Sequence, residues 1–69
     1  MVNTLELKAA IVRKGMKQID VAEKMGMSRK TWFERMSKKK FDSDEMYKLI
    51  QILDIENPTP IFFAEEDTQ

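Results

Sequence analysis

The sequence predicts an all-α fold, a compact domain of four to five helices, and three observations carry that prediction. Apolar residues recur at three- and four-residue spacing in successive stretches, glycines fall where two of those stretches stop, and residues able to cap a helix stand before their starts. The chain has 42% hydrophobic and 35% charged residues, with no repeat, low-complexity tract or linker, so residues 1–69 read as one domain. A domain of this length buries only about 60% of its unfolded surface, and a partner subunit would add to its stability.

Asn3 and Thr4 ahead of Leu5-Glu6-Leu7 form the first helix start: either polar residue can cap free amides, and Glu6 suits the positive first turn. Leu7, Ala10 and Ile11 continue at helical spacing to a stop at Gly15, which predicts a helix over residues 5–14. Residues 18–25 repeat the pattern, with Val21, Ala22 and Met25 on one face and Gly26 just beyond. Ser28 caps a third helix after a very short turn, and Trp32 with Met36 gives that helix an apolar pair four residues apart. Asp42 and Glu45 have capping-box spacing, and Met46, Leu49, Ile50 and Leu53 follow at i, i+3, i+4, i+7 as a fourth helix. Asn57-Pro58 then leads into Ile61-Phe62-Phe63 as a short fifth turn or an edge strand, with an acidic tail, 64–69, expected to be loose.

Composition removes several function classes. The chain has no cysteine and no histidine, which excludes disulfides and thiolate chemistry and leaves only carboxylates as strong metal ligands, so no metal site and no cofactor are expected. Ser28, Ser37 and Ser43 have no histidine base, and an enzyme is not expected. No apolar run approaches the roughly 18 residues that cross a bilayer, and the first residues lack the basic-then-apolar pattern of a signal peptide, so a cytoplasmic protein without membrane or small-molecule partner is expected.

The formal net charge of zero conceals a split. Residues 13–40 hold ten Lys or Arg against three acids, whereas residues 41–69 hold one Lys against eight acids. The first segment generates a positive potential suited to phosphates; the second is repelled by them and belongs on the opposite side.

Two short helices joined by a tight turn, about residues 17–37, are the arrangement that projects a second helix into a DNA major groove while the first crosses the backbone. Ala22 is small where the helices must approach, and Gly26 stands where the turn needs a positive φ. The stretch QIDVAEKMGMSRKT, residues 18–31, resembles the Cro/Xre-type helix-turn-helix of phage repressors, and the order of elements extends the likeness over residues 4–63. The resemblance implies a lambda-repressor-like DNA-binding fold and a small Cro-like repressor acting as a homodimer on a palindromic double-stranded operator. One position departs from the family pattern: an apolar residue is usual at 35, where this chain has Arg35, with Met36 one place later.

With the core side of the third helix set by Trp32 and either position 35 or 36, Lys30, Phe33, Glu34 and Ser37 face outward under both rotations, and Arg29 lies on the flank of the first turn. Arg29 matches the two acceptors of guanine, Glu34 can accept from cytosine, and Phe33 can pack on a thymine methyl. The competing readings are phosphate contact for Arg29 and Lys30, a core or interface role for Phe33, and pairing with Lys30 or Lys38 for Glu34. The resemblance gives Gln18 a role on the DNA backbone; Lys17, Ser28, Thr31 and the run Lys38-Lys39-Lys40 join it as expected phosphate contacts. Ile61, Phe62 and Phe63 either close the subunit's own core or form a two-fold interface, because adjacent residues diverge too widely to enter one pocket. A second reading makes the chain a protein-interaction module such as the antitoxin of a toxin pair, with the acidic tail or Phe62-Phe63 on the partner.

Overall fold

In the computed structural model, which describes residues 1–63, five helices follow one another without a strand among the described residues: α1 Thr4–Arg13, α2 Gln18–Lys24, α3 Arg29–Lys38, α4 Ser43–Ile52 and α5 Thr59–Phe62. The acidic tail named above lies outside the described residues. No helix among them is long and apolar enough to cross a membrane.

The starts are made by local side chains. Asn3 Oδ1 accepts from the Glu6 amide at 3.2 Å, Ser28 Oγ from the Thr31 amide at 3.1 Å, and Asp42 Oδ1 from the Glu45 amide at 2.8 Å. Glu45 returns the bond by accepting from the Asp42 amide at 2.9 Å, completing the capping box. α2 uses the reverse half alone, Asp20 accepting from the Lys17 amide at 3.0 Å. The fifth element is a helical turn, and its start falls one residue later than Asn57-Pro58 suggested. Pro58 is the cap residue, Asn57 Oδ1 accepts from the Thr59 amide at 3.4 Å, and Pro60 takes a first-turn position whose missing amide costs nothing there.

The stops share one geometry. Gly15, Gly26, Lys39 and Asp54 all have positive φ, and in each case the next residue's amide reaches back to a carbonyl five residues earlier: Met16 to Ile11, Met27 to Ala22, Lys40 to Arg35 and Ile55 to Ile50. These are Schellman closures, which satisfy the free carbonyls at a helix end. Three of the four carry an apolar residue after the left-handed position, and Met16, Met27 and Ile55 all pack against the core. At Gly26 a Cβ would meet nothing within 4 Å, so the left-handed backbone is the whole obstacle to another residue. Gly26→Ala is therefore expected to cost about 1 kcal/mol, seen as a lower urea midpoint with an unchanged far-ultraviolet spectrum.

The core gathers one face of each helix. Leu7 and Ile11 of α1, Val21 and Ala22 of α2, Trp32 and Met36 of α3, and Leu49 of α4 are buried. Phe41, between α3 and α4, sets its ring 5.5 Å from that of Trp32, tilted by 53°. Val2 is also buried: its amide donates to the Lys39 carbonyl, and that of Asn3 donates to the Ile61 carbonyl. The first residues thus strap the end of α3 to α5. Lys14 and Asp54 form an ion pair between the ends of α1 and α4.

The expected role of Ile61 and Phe62 in a subunit interface is corrected here. Both are 3% exposed, committed to this chain's own core by the packing of α5 on α1, whereas Phe63 alone of the three is exposed.

Candidate nucleic-acid interface

α2 and α3 are joined through Met25, Gly26, Met27 and Ser28, and the sequence makes each step obligatory. Gly26 turns the chain out of α2, Met27 pins the turn to the core, and Ser28 opens α3. Ala22, 1% exposed, supplies the carbonyl that accepts from the Met27 amide.

The rotation of α3 is fixed by Trp32 and Met36, which are buried, while position 35 lies at the edge of the core. Arg35 does not replace an apolar residue by entering the core. Its guanidinium turns to α4, where Nε donates to both oxygens of Glu45 at 3.1 Å and Nη2 to Oε2 at 2.9 Å. Those hydrogen bonds, and then the charge of Glu45, hold the guanidinium above its ordinary protonation range, against a small opposing effect of burial. Because Glu45 also caps α4, one carboxylate ties the direction of α3 to the start of α4.

With the core side settled, Arg29, Lys30, Phe33, Glu34 and Ser37 are all exposed, a continuous outward face of α3. Phe33 keeps 44% of its surface accessible, unusual for a phenylalanine with a core beside it. Ser28 and Thr31 sit at the start of α3, their hydroxyls joined by a 3.1 Å hydrogen bond, Ser28 exposed and Thr31 half-buried. Lys17 and the run Lys38, Lys39 and Lys40 are exposed beyond the two ends of the α2–α3 pair.

Gln18 has a double position. Its Oε1 accepts from Trp32 Nε1 at 3.0 Å, so the acceptor end is taken by the core tryptophan and the amide's two donors remain to be placed. Half-buried at the first position of α2, it bridges the N-terminus of α2 to the middle of α3.

Two residues that the sequence did not place among the DNA contacts join this face. Thr4 and Lys8 of α1 line a shallow concavity with Gln18, Phe33, Met36 and Ser37. Lys8 is exposed there, adding a cation beside Phe33 and Ser37 of α3. Spacing along α1 could not have found it, because only the packing of α1 brings Lys8 beside α3. Asp42, Asp44 and Glu45 border a separate concavity with Met25, Met27, Arg35 and Lys48.

The arrangement is a convex helix face carrying a donor fork, an aromatic ring, a carboxylate and a hydroxyl, with lysines at its margins. It has the residue types that read base edges and grip phosphates. In comparisons with known proteins, the chain matches no family model, no curated protein and no solved structure.

Proposed function

We propose that the chain is a sequence-specific regulator of transcription that binds double-stranded DNA, with α2 and α3 as a helix-turn-helix of the Cro/Xre type and α3 in the major groove. The observation that carries this reading is the outward face of α3: five adjacent polar, charged or aromatic residues are exposed while Trp32 and Met36 of the same helix are buried. Arg29 leads the base contacts, followed by Lys30, Phe33, Glu34 and Ser37. Lys17, Gln18, Ser28, Thr31 and Lys38 to Lys40 hold phosphates on either side, with Lys8 added from α1. The regulator is a phage or prophage repressor of the small Cro-like kind, acting in the cytoplasm as a homodimer on a palindromic operator by blocking access to its site, without a cofactor.

Selection from a pool of random duplexes tests this. Enrichment of a palindrome with half-sites about one DNA turn apart, roughly 34 to 36 Å, is expected. Arg29→Ala should reduce preference for that site by about 1 to 3 kcal/mol, whereas Lys39→Ala should weaken enriched and random duplexes alike. A pool without an enriched sequence would overturn the reading.

The exposed Phe63 favours a second reading, an interaction module such as the antitoxin of a toxin pair. Tight binding to a protein partner without duplex preference would select the second reading, and its loss in Phe63→Ser would place the contact at Phe63 rather than on the acidic tail.

A further inference from the structure

α1 is apolar on two faces. Leu7, Ala10 and Ile11 enter the core, but Leu5 and Val12 are 77% and 72% exposed, with Ala9 between them at i, i+4, i+7 spacing. At about 100° per residue this second stripe points directly away from the buried one. Its two flanks differ in charge and surroundings. Glu6 and Arg13 lie on one flank, where they line a groove with Lys14, Asp54 and Glu56. Lys8 lies on the other, in the concavity shared with Gln18, Phe33 and Ser37.

We propose that the Leu5–Ala9–Val12 stripe docks a second copy of this chain, α1 against α1, antiparallel, about a two-fold axis passing beside Ala9. The pairing rests on α1 itself; only its orientation toward DNA rests on the function proposed above. Charge complementarity selects this occupant. In the antiparallel register Leu5 covers Val12 of the partner subunit, and Ala9 at the centre lets the helices approach to about 8 to 10 Å. A two-fold axis perpendicular to the helices keeps equivalent flanks on the same side. Glu6 of each copy therefore meets Arg13 of the partner subunit, giving two equivalent ion pairs.

The same operation places both Lys8 flanks, and with them both outward faces of α3, on one side of the dimer, as a palindromic duplex requires. The two Lys8 ammoniums converge near the axis and repel in the free protein. A duplex on that side supplies phosphates between them, so DNA binding tightens the dimer and the dimer tightens DNA binding.

Sedimentation equilibrium of the free chain over a concentration series tests the pairing. A reversible dimer is expected for the wild type. Leu5→Glu and Val12→Glu, both at exposed positions and so expected to keep the wild-type helical spectrum, should each weaken it about a hundredfold. Glu6→Arg and Arg13→Glu should each be monomeric alone, because each sets like charges against each other, and an equimolar mixture of the two should form the heterodimer. A wild type that stays monomeric at millimolar concentration would overturn the proposal. So would a dimer that survives Leu5→Glu but is lost in Phe63→Ser, or a mixture that fails to associate. These measurements contain no duplex, so their failure leaves DNA binding untouched; conversely, a dimer that forms as expected but enriches no duplex sinks the DNA reading alone.

Discussion

Trp32→Ala is expected to remove about 3 to 5 kcal/mol of stability, the range for deleting a large buried aromatic. A domain of 69 residues has about 3 to 10 kcal/mol in total at ordinary stability per residue, so the variant should be largely unfolded or close to it at room temperature. The position explains the size of the effect. Trp32 is fully buried, its ring packs on Phe41 ahead of α4, and its Nε1 donates to Gln18 at the start of α2. One side chain therefore joins three elements, and truncation to alanine removes packing from all of them. Trp32→Phe separates packing from polarity: it keeps a ring but leaves Gln18 Oε1 without its donor, and a loss of about 1 to 3 kcal/mol is expected. Urea unfolding followed by circular dichroism measures both, since the chain has one tryptophan and fluorescence would vanish with it. An unchanged midpoint for Trp32→Ala would show that the core is organised elsewhere.

The affinity of the chain for its selected duplex is expected to fall by about 500-fold between 50 and 200 mM salt. Lys8, Lys17 and Lys38 to Lys40 are exposed around α3, and about five phosphate contacts release counterions in proportion, which gives a steep logarithmic dependence. The net charge of zero does not oppose this, because the slope follows the number of phosphates contacted rather than the charge summed over the whole chain. Lys39→Ala should reduce the slope by close to one contact, and Arg29→Ala should change site preference more than slope. Fluorescence anisotropy across a salt series gives both quantities. A slope near zero would remove phosphate gripping from the account, whatever the affinity.

Helix starts were legible because their causes are local. Asn3, Ser28 and the Asp42–Glu45 pair each act within three residues, and α1, α3 and α4 begin within one residue of where these side chains predict. Glycine marked two of the stops for the same reason. Lys39 and Asp54 take the identical left-handed position without glycine, so composition gave no sign of them, and only the reach-back of Lys40 and Ile55 shows the shared geometry. Arg35 was the uncertain point of the reading face, and its partner stands ten residues on in another helix. The choice between positions 35 and 36 is made by that contact together with the burial of Met36, neither of which is visible in the spacing of α3 alone. Phe63 and Phe62 differ for a tertiary reason as well: α5 is a single turn on α1, and one turn has room for only one of two adjacent rings on its inner side. Lys8 was missed because helical periodicity shows which face is apolar and says nothing about which neighbour the polar flank will meet.

The strap formed by Val2 and Asn3 has a consequence for how the domain comes apart. The bond from Asn3 to the Ile61 carbonyl spans nearly the whole described chain, while the α2–α3 turn is closed by bonds within a few residues. Closing the longer loop costs more chain entropy, so the strap is the late event in folding and the early one in opening. Releasing it frees the Lys39 carbonyl at the end of α3 and the Ile61 carbonyl of α5 together. The two ends are therefore expected to fray together, which amide hydrogen exchange at Val2, Asn3 and α5 would register as matched, early loss of protection.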